Sequence, residues 1–195
     1  MIMNVKTDVS IGALLLASIA VYILPLKLAA AYLLAVLTHE LGHMLLLLTF
    51  DKRIYAVHIC LSGFVIEHER DMSSHEELLC ALAGPCFGLL YAAFASTVSA
   101  ETGSEWLRFS AGISLALSVF NSLPIMPLDG GRALNCLLKL MLPGKHTDTA
   151  SYIISLGVCL MIFAFGALLA IENKGFGLLI AAVMLFALLL SGKGL

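Results

Sequence analysis

Residues 28–50 read LAAAYLLAVLTHELGHMLLLLTF, an apolar run of the length that a bilayer-spanning helix requires. Such a helix needs about 20 mostly apolar residues. The polar cluster THELGH, residues 38–43, stands in the middle of this run. A charged group at mid-span costs about 2.5–3.5 kcal/mol on insertion scales, so it needs a partner or a function. The stretch therefore predicts a membrane helix that carries a chemical site.

The rest of the chain is similarly apolar. Of its 195 residues 61% are hydrophobic and 12% are charged, whereas soluble domains average about 45–50% apolar and about 25% charged residues. The apolar runs predict an all-α polytopic membrane protein with six spans, near residues 11–26, 28–50, 78–100, 106–123, 151–171 and 176–190. We expect one transmembrane domain over residues 1–195, without a soluble regulatory domain.

Most of the polar residues between the second and third spans lie in residues 51–77. Within this segment, residues 54–60 and 64–67 are rich in β-branched and aromatic side chains, and Leu61-Ser62-Gly63 separates them. This pattern is typical of a β-hairpin. An ordinary loop fits the sequence about as well, and both alternatives stay open here.

The charged residues indicate which partners the protein can bind and how it is oriented in the membrane. The formal net charge is −2, from 11 basic and 13 acidic residues without a run of either sign, which argues against nucleic-acid binding. The positive-inside rule favours six spans with both termini in the cytoplasm. In that arrangement eight of the eleven basic residues are cytoplasmic: Lys6, Lys52, Arg53, Arg70, Arg132, Lys139, Lys145 and Lys193.

The cluster in the second span has the spacing of a zinc site. His39 and His43 are four residues apart, so they share one helix face and can bind the same ion. Glu40 is placed to act on a water molecule at that ion. In a soluble helix, two histidines on a solvated face would be an equally good interpretation. Inside a membrane helix no water is available to solvate them, which favours the metal.

A catalytic zinc ion usually takes three protein ligands and one water molecule, and Asp129 is the best candidate for the third. It follows the fourth span in NSLPIMPLDGGR, residues 121–132. Pro124 and Pro127 stop that span, and the following glycines permit a tight turn. His43 lies about 12 Å from the cytoplasmic end of its helix, and Asp129 follows a span that exits on the same side. The alternative is that Asp129 only caps a helix over residues 130–142.

These motifs resemble those of the site-2 protease family, the M50-type intramembrane zinc metalloproteases. The residues that carry the resemblance are His39-Glu40-Leu41-Gly42-His43, the stretch 121–131, and Ala83-Gly84-Pro85 in the third span. The helix before the H-E-x-x-H helix and the stretch 53–69 after it are most similar to the stage IV sporulation protein FB group. The similarity extends from about residue 34 to residue 142.

The resemblance implies that His39, His43 and Asp129 bind one zinc ion and that Glu40 is the general base. It also implies that Asn121 contacts substrate, although Asn121 equally fits a residue that caps the fourth span. Residues 54–66 match a membrane-associated β-hairpin that is proposed to pair with an unwound substrate strand.

Two departures from the family stand out. Many members carry a small or polar residue such as Asn where this chain has Gly88, so a helix-packing or substrate contact is expected to differ. Sporulation-type members also carry a C-terminal regulatory domain, whereas this sequence ends at Leu195, directly after its last predicted span. We therefore expect that this control is absent or that another protein, such as a membrane partner, supplies it.

The implied activity is regulated intramembrane proteolysis of a membrane-associated or single-span protein near the cytoplasmic face of a cell membrane, most naturally a bacterial one. One rival is a membrane transporter that binds a metal with the same His/Asp cluster. A transporter gives Glu40 no role and would need further intramembrane acids or histidines. Another rival is a non-catalytic scaffold that binds partner helices, against which the intact base and ligands argue.

Overall fold

The computed structural model describes residues 6–9, 25–60, 63–68, 71–142 and 146–191, and this part of the chain is mostly helical. Three short strands accompany six helices in these ranges. In chain order the elements are β1 (Lys6–Val9), α1 (Leu26–Thr49), β2 (Ile54–Cys60), β3 (Gly63–His68), α2 (Ser74–Thr102), α3 (Glu105–Asn121), α4 (Asp129–Met141), α5 (Thr147–Ile171) and α6 (Gly177–Ser191).

Three of these helices, α1, α2 and α5, are long and apolar enough to cross a membrane. They coincide with the second, third and fifth predicted spans. The helix α3 has 17 residues and α6 has 15, which is short for a bilayer crossing. The first predicted span, 11–26, lies outside the described residues except for its last two. A helical membrane protein is thus the architecture, and the count of six spans stays a prediction.

Two helices begin four residues before the predicted spans, because polar residues form their first turns. The helix α2 begins at Ser74 instead of 78, since Ser73 and Glu76 form a capping box. The Ser73 hydroxyl accepts from the Glu76 N–H at 3.3 Å, and the Glu76 carboxylate accepts from the Ser73 N–H at 2.8 Å. These bonds satisfy two backbone donors at the helix end. Similarly, α5 begins at Thr147 and not at 151.

A small sheet lies beside the helices, with strand order β1-β2-β3. The strands β2 and β3 are antiparallel, from Ile54 opposite His68 to Cys60 opposite Gly63. These two strands lie in the segment for which the sequence was compatible with either a β-hairpin or an ordinary loop. The strand β1 pairs with β2 in parallel, with Asp8 opposite His58. One edge of β2 is therefore covered by β1 and the other by β3.

The helices α1 and α2 approach closely at a glycine. A Cβ added to Gly42 would lie 2.6 Å from the Ala83 carbonyl oxygen and 3.0 Å from Cβ of Phe87. Any larger residue would separate the two backbones. Small residues at such contacts are what allows membrane helices to pack tightly. This contact holds the His39–His43 face of α1 against α2.

Gly88 fills the same role between α2 and α3. A Cβ on Gly88 would overlap the Ser118 hydroxyl, and the Ser114 hydroxyl donates to the Gly88 carbonyl at 2.9 Å. Both serines are fully buried. The departure from the family at position 88 therefore belongs to helix packing, because α3 occupies the space that a side chain would need.

The segment between α3 and α4 packs against the last two helices. Ile125 is fully buried and contacts Cys159 of α5 together with Leu185 and Leu189 of α6. Because α4 begins only four residues after Ile125, this apolar cluster fixes the place where α4 begins.

Candidate metal centre

Three side chains from α1 and α4 meet at one point. Nε2 of His39 lies 2.9 Å from Oδ2 of Asp129, and Nε2 of His43 lies 3.2 Å from the same oxygen. The two imidazole Nε2 atoms are 3.3 Å apart. Both histidines are buried, and only 14% of the Asp129 side chain is exposed. The structure thus brings together the three residues that the sequence suggested as ligands, although Asp129 lies 86 to 90 positions after the two histidines.

The size of this triangle fits a zinc ion. Zinc binds histidine nitrogen and carboxylate oxygen at about 2.0–2.2 Å with tetrahedral geometry, which places neighbouring donor atoms about 3.3 Å apart. The separations of 3.2 and 3.3 Å match this value, and the 2.9 Å edge is shorter by a few tenths of an ångström. The donor set of two imidazoles and one carboxylate is also one that zinc prefers. The residues present therefore fit the ion.

The hydrogen bond of His43 strengthens this conclusion. Nδ1 of His43 lies 2.8 Å from the Cys80 carbonyl oxygen. A carbonyl only accepts, so Nδ1 carries the proton and Nε2 of the neutral ring carries a lone pair. That lone pair faces the Asp129 carboxylate, which is also an acceptor. A cation between the two removes this conflict, and a backbone carbonyl on the far nitrogen is a common way to orient a metal-binding histidine.

Asp129 is the first residue of α4, with Leu128 at the N-cap position. The helix thus begins one residue before the helix over residues 130–142 that the capping alternative predicted. The helix dipole favours a negative charge in the first turn. On the outer side, Nη1 of Arg132 lies 3.9 Å from Oδ1. Asp129 is therefore ionised, as a metal ligand must be.

The two glycines after Asp129 serve close packing and not a turn. Both are buried in the first turn of α4. A Cβ on Gly130 would lie 2.5 Å from the Leu123 carbonyl oxygen, and one on Gly131 would lie 2.5 Å from the backbone nitrogen of Met126. The start of α4 can thus lie directly on the segment that precedes it, which corrects the tight turn that we expected.

Glu40 lies at the edge of the site, whereas the described contact of Asn121 is within α3. Glu40 is half-buried, and its carboxyl group is close enough to interact electrostatically with His39, His43 and Asp129. Asn121 is the last residue of α3, and its side-chain amide donates to the Leu117 carbonyl at 3.1 Å. That bond is within its own helix, which agrees with the capping alternative for Asn121.

Gly84 lies directly against the imidazoles. A Cβ at this position would lie 2.8 Å from Nε2 of His39 and closer still to Nε2 of His43. Position 84 therefore has room for a hydrogen atom and nothing larger. Because Gly84 has no side chain, the Ala83-Gly84-Pro85 motif allows the α2 backbone to lie beside the two imidazoles.

We expect Gly84→Ala to lower zinc affinity by at least about 10–100-fold, the range seen when the surroundings of a ligand are disturbed. The cause would be steric, because alanine is the better helix former by about 1 kcal/mol. Zinc affinity of the detergent-purified protein, measured by chelator competition, checks this result. Gly112→Ala on α3 is the matched control, since no atom lies within 4 Å of a Cβ there, and it should bind zinc like the wild type. Wild-type zinc affinity in Gly84→Ala would contradict the steric argument.

Two groups in the site were not predicted from the sequence. The Cys80 carbonyl is a backbone atom, so its role depends only on how α1 and α2 pack. Arg132 follows the Asp129 motif directly, and the i, i+3 spacing on a helix could have placed it beside that carboxylate.

Comparison with known proteins agrees with these features. Residues 96–164 match the model of peptidase family M50. The stage IV sporulation protein FB of Bacillus subtilis (strain 168) is 32% identical over 142 residues, which is 70% of this chain and 49% of that protein. The chain is thus similar to peptidase family M50 and to this sporulation protein. A protein of Synechocystis sp. (strain PCC 6803) that is named as a zinc metalloprotease is 28% identical over 123 residues, or 60% of this chain and 32% of its own length. The chain thus spans half or less of the M50 relatives it matches.

The fold also has a counterpart among solved structures. The site-2 protease from Methanocaldococcus jannaschii superposes with a TM-score of 0.71 at 20% sequence identity, over 98% of this chain and 92% of that one. At this identity the likeness concerns the fold. The M50 family resemblance that the motifs suggested is confirmed.

Proposed function

We propose that this chain is a zinc-dependent intramembrane endopeptidase. The observation that carries the proposal is the triangle formed by His39, His43 and Asp129, whose donor atoms lie 2.9 to 3.3 Å apart in an apolar helical protein. The match of residues 96–164 to peptidase family M50 supports the same activity.

In this proposal His39, His43 and Asp129 hold one zinc ion per chain. When bound, zinc makes a neighbouring water molecule more acidic, bringing its pKa to about 7, and it polarises a substrate carbonyl. The Cys80 carbonyl fixes the His43 ring through Nδ1, so that Nε2 points at the site. Arg132 offsets part of the charge on the outer oxygen of Asp129.

Glu40 moves the proton. Its carboxylate takes a proton from the attacking water and later delivers it to the amine of the leaving peptide, as a general base and then a general acid. Glu40 follows His39 directly on α1, and its carboxyl group lies close enough to interact electrostatically with the two histidines and Asp129.

The proposed substrate is a membrane-associated or single-span protein. A peptide carbonyl inside a helix is already hydrogen-bonded, so the substrate must unwind locally before attack. Helix-breaking residues near the cut should therefore help, and Asn121 is a candidate to bind the unwound backbone. The outer edges of β1 and β3 offer further backbone groups for pairing.

We also propose the orientation that the basic residues favour, with both termini in the cytoplasm and the cut near the cytoplasmic face of a bacterial membrane. A regulatory membrane partner would then control access of the substrate.

The transporter alternative receives less support. Transport through a membrane generally requires a series of polar sites along the path. Among the residues that the structure describes, His39, His43 and Asp129 form the one group of side chains that could hold a metal ion. The scaffold alternative predicts that the function of the protein does not depend on Glu40.

Metal removal tests the proposal directly. The purified chain is reconstituted in liposomes with a set of single-span proteins that differ in helix-breaking residues near one end of the span. We expect fragments cut near that end, loss of the fragments after treatment with 1,10-phenanthroline, and recovery when zinc is returned. Mass spectrometry of the fragments locates the cuts. If the zinc-loaded and chelated samples gave identical products across the whole set, hydrolysis would not be the function.

A further inference from the structure

The segment that precedes Asp129 is hydrogen-bonded to α5 through the hydroxyl group of Ser155. The Ser155 hydroxyl accepts from the Met126 N–H at 3.2 Å and lies 3.2 Å from the Pro124 carbonyl oxygen and 2.8 Å from the Ser151 carbonyl oxygen. Its one proton is shared between these two carbonyls. Ser155 is fully buried. It therefore joins both sides of Ile125 to α5.

The position of the Pro124–Met126 segment determines the position of Asp129. The Leu128 N–H donates to the Ile125 carbonyl at 2.8 Å, forming a turn, and Asp129 comes next. Gly131 lies against the backbone of Ile125 and Met126 without room for a Cβ. A shift of the segment would therefore move the first turn of α4, and with it the Asp129 carboxylate.

We infer that Ser155 is a positioning residue for the metal centre, because its hydroxyl fixes the Pro124–Met126 backbone from which Asp129 is placed. This inference rests on the proposed zinc site. Ile125 and Cys159, which lies one turn further along α5, are buried in the same apolar cluster. Removal of the hydroxyl would leave the Met126 N–H and the Pro124 carbonyl without a substitute partner. The segment would then rearrange, and Asp129 would move with it.

The chain offers two matched controls. Ser151 lies one turn before Ser155 on α5 and is also buried, but its hydroxyl has no hydrogen-bond partner among the described residues. Ser110 on α3 is fully buried and bonds the Tyr91 hydroxyl of α2 at 2.5 Å. The variant Ser151→Ala therefore removes a hydroxyl from the same helix face, and Ser110→Ala removes a buried interhelical hydrogen bond elsewhere.

The experiment measures zinc affinity by chelator competition for wild type, Ser155→Ala, Ser151→Ala and Ser110→Ala, together with the thermal stability of each metal-free protein. We expect Ser155→Ala to bind zinc about tenfold more weakly, at the lower end of the effect of groups that orient ligands. Both controls should stay within about twofold of wild type, whatever stability they lose. In the cobalt-loaded protein, the visible absorption bands of the metal should shift in Ser155→Ala and not in Ser110→Ala.

The inference is overturned if Ser155→Ala binds zinc like the wild type, or if Ser110→Ala loses as much affinity as Ser155→Ala. Should Ser155→Ala fail to fold, Ser155→Cys keeps the size and a weaker donor, and unchanged zinc affinity in that variant also overturns the inference. A wild type that binds no zinc would instead refute the proposed function, so the two failures are distinct.

Discussion

Glu40→Gln should bind zinc like the wild type and lose cleavage by about 10²–10⁴-fold, the usual contribution of a general acid–base group. Glutamine keeps the shape of the side chain but cannot take a proton from water. The three donor atoms come from other residues, so the metal should stay. The measurement is zinc content and cleavage rate on the same purified sample, with a single-span substrate in liposomes.

Glu77→Gln is the matched control for this prediction. Glu77 is another half-buried glutamate on a membrane helix, α2, and it interacts with the Cys136 thiol of α4 instead of the metal centre. Its replacement should leave the cleavage rate within about twofold. If Glu40→Gln cleaved at the wild-type rate, Glu40 would not be the base, and a scaffold or transport role would regain support.

Asp129→Asn should lower zinc affinity by at least about 100-fold and abolish cleavage. Groups that merely orient a ligand already contribute about 10–100-fold to affinity, and here a ligand itself loses its charge. The amide also cannot offset the charge of an ion held by two neutral imidazoles. Chelator competition on the detergent-purified variant measures the loss.

Asp148→Asn is the control that separates the loss of a zinc ligand from the loss of an acidic residue at a helix N-terminus. Asp148 is an acidic residue in the first turn of α5, as Asp129 is in the first turn of α4. It accepts a hydrogen bond from Asn135 and takes no part in the metal centre. The helix dipole therefore acts on both residues alike. Equal zinc affinity in Asp129→Asn and wild type would reduce Asp129 to a helix-terminus residue.

Much of the site could be predicted because polar residues inside a membrane span cannot be explained as a solvated surface. The cluster at residues 38–43 could not be solvated inside an apolar span, so a shared ion was the best explanation for His39 and His43. The positive-inside pattern then placed Asp129 on the same side of the membrane. Because α1 and α4 both pack against α2, all three donor atoms lie within 3.3 Å of one another.

The remaining features depend on contacts that a linear pattern does not encode. Hydropathy places a helix where the apolar residues begin, so it missed the polar first turns of α2 and α5. Hydropathy also cannot distinguish a glycine that is needed for a turn from one that is needed for close packing against a neighbouring element. Gly88 and Gly131 are of the second kind. The role of Ser155 was hidden for the same reason, because its partners are backbone atoms about 30 positions away.

The most direct test of the metal centre is anomalous diffraction at the zinc edge from crystals of the zinc-loaded protein. We predict one zinc peak per chain, within about 2.0–2.2 Å of Nε2 of His39, Nε2 of His43 and one carboxylate oxygen of Asp129. A peak held by any other set of side chains, or no peak between α1 and α4, would contradict the proposed site and the hydrolytic function built on it.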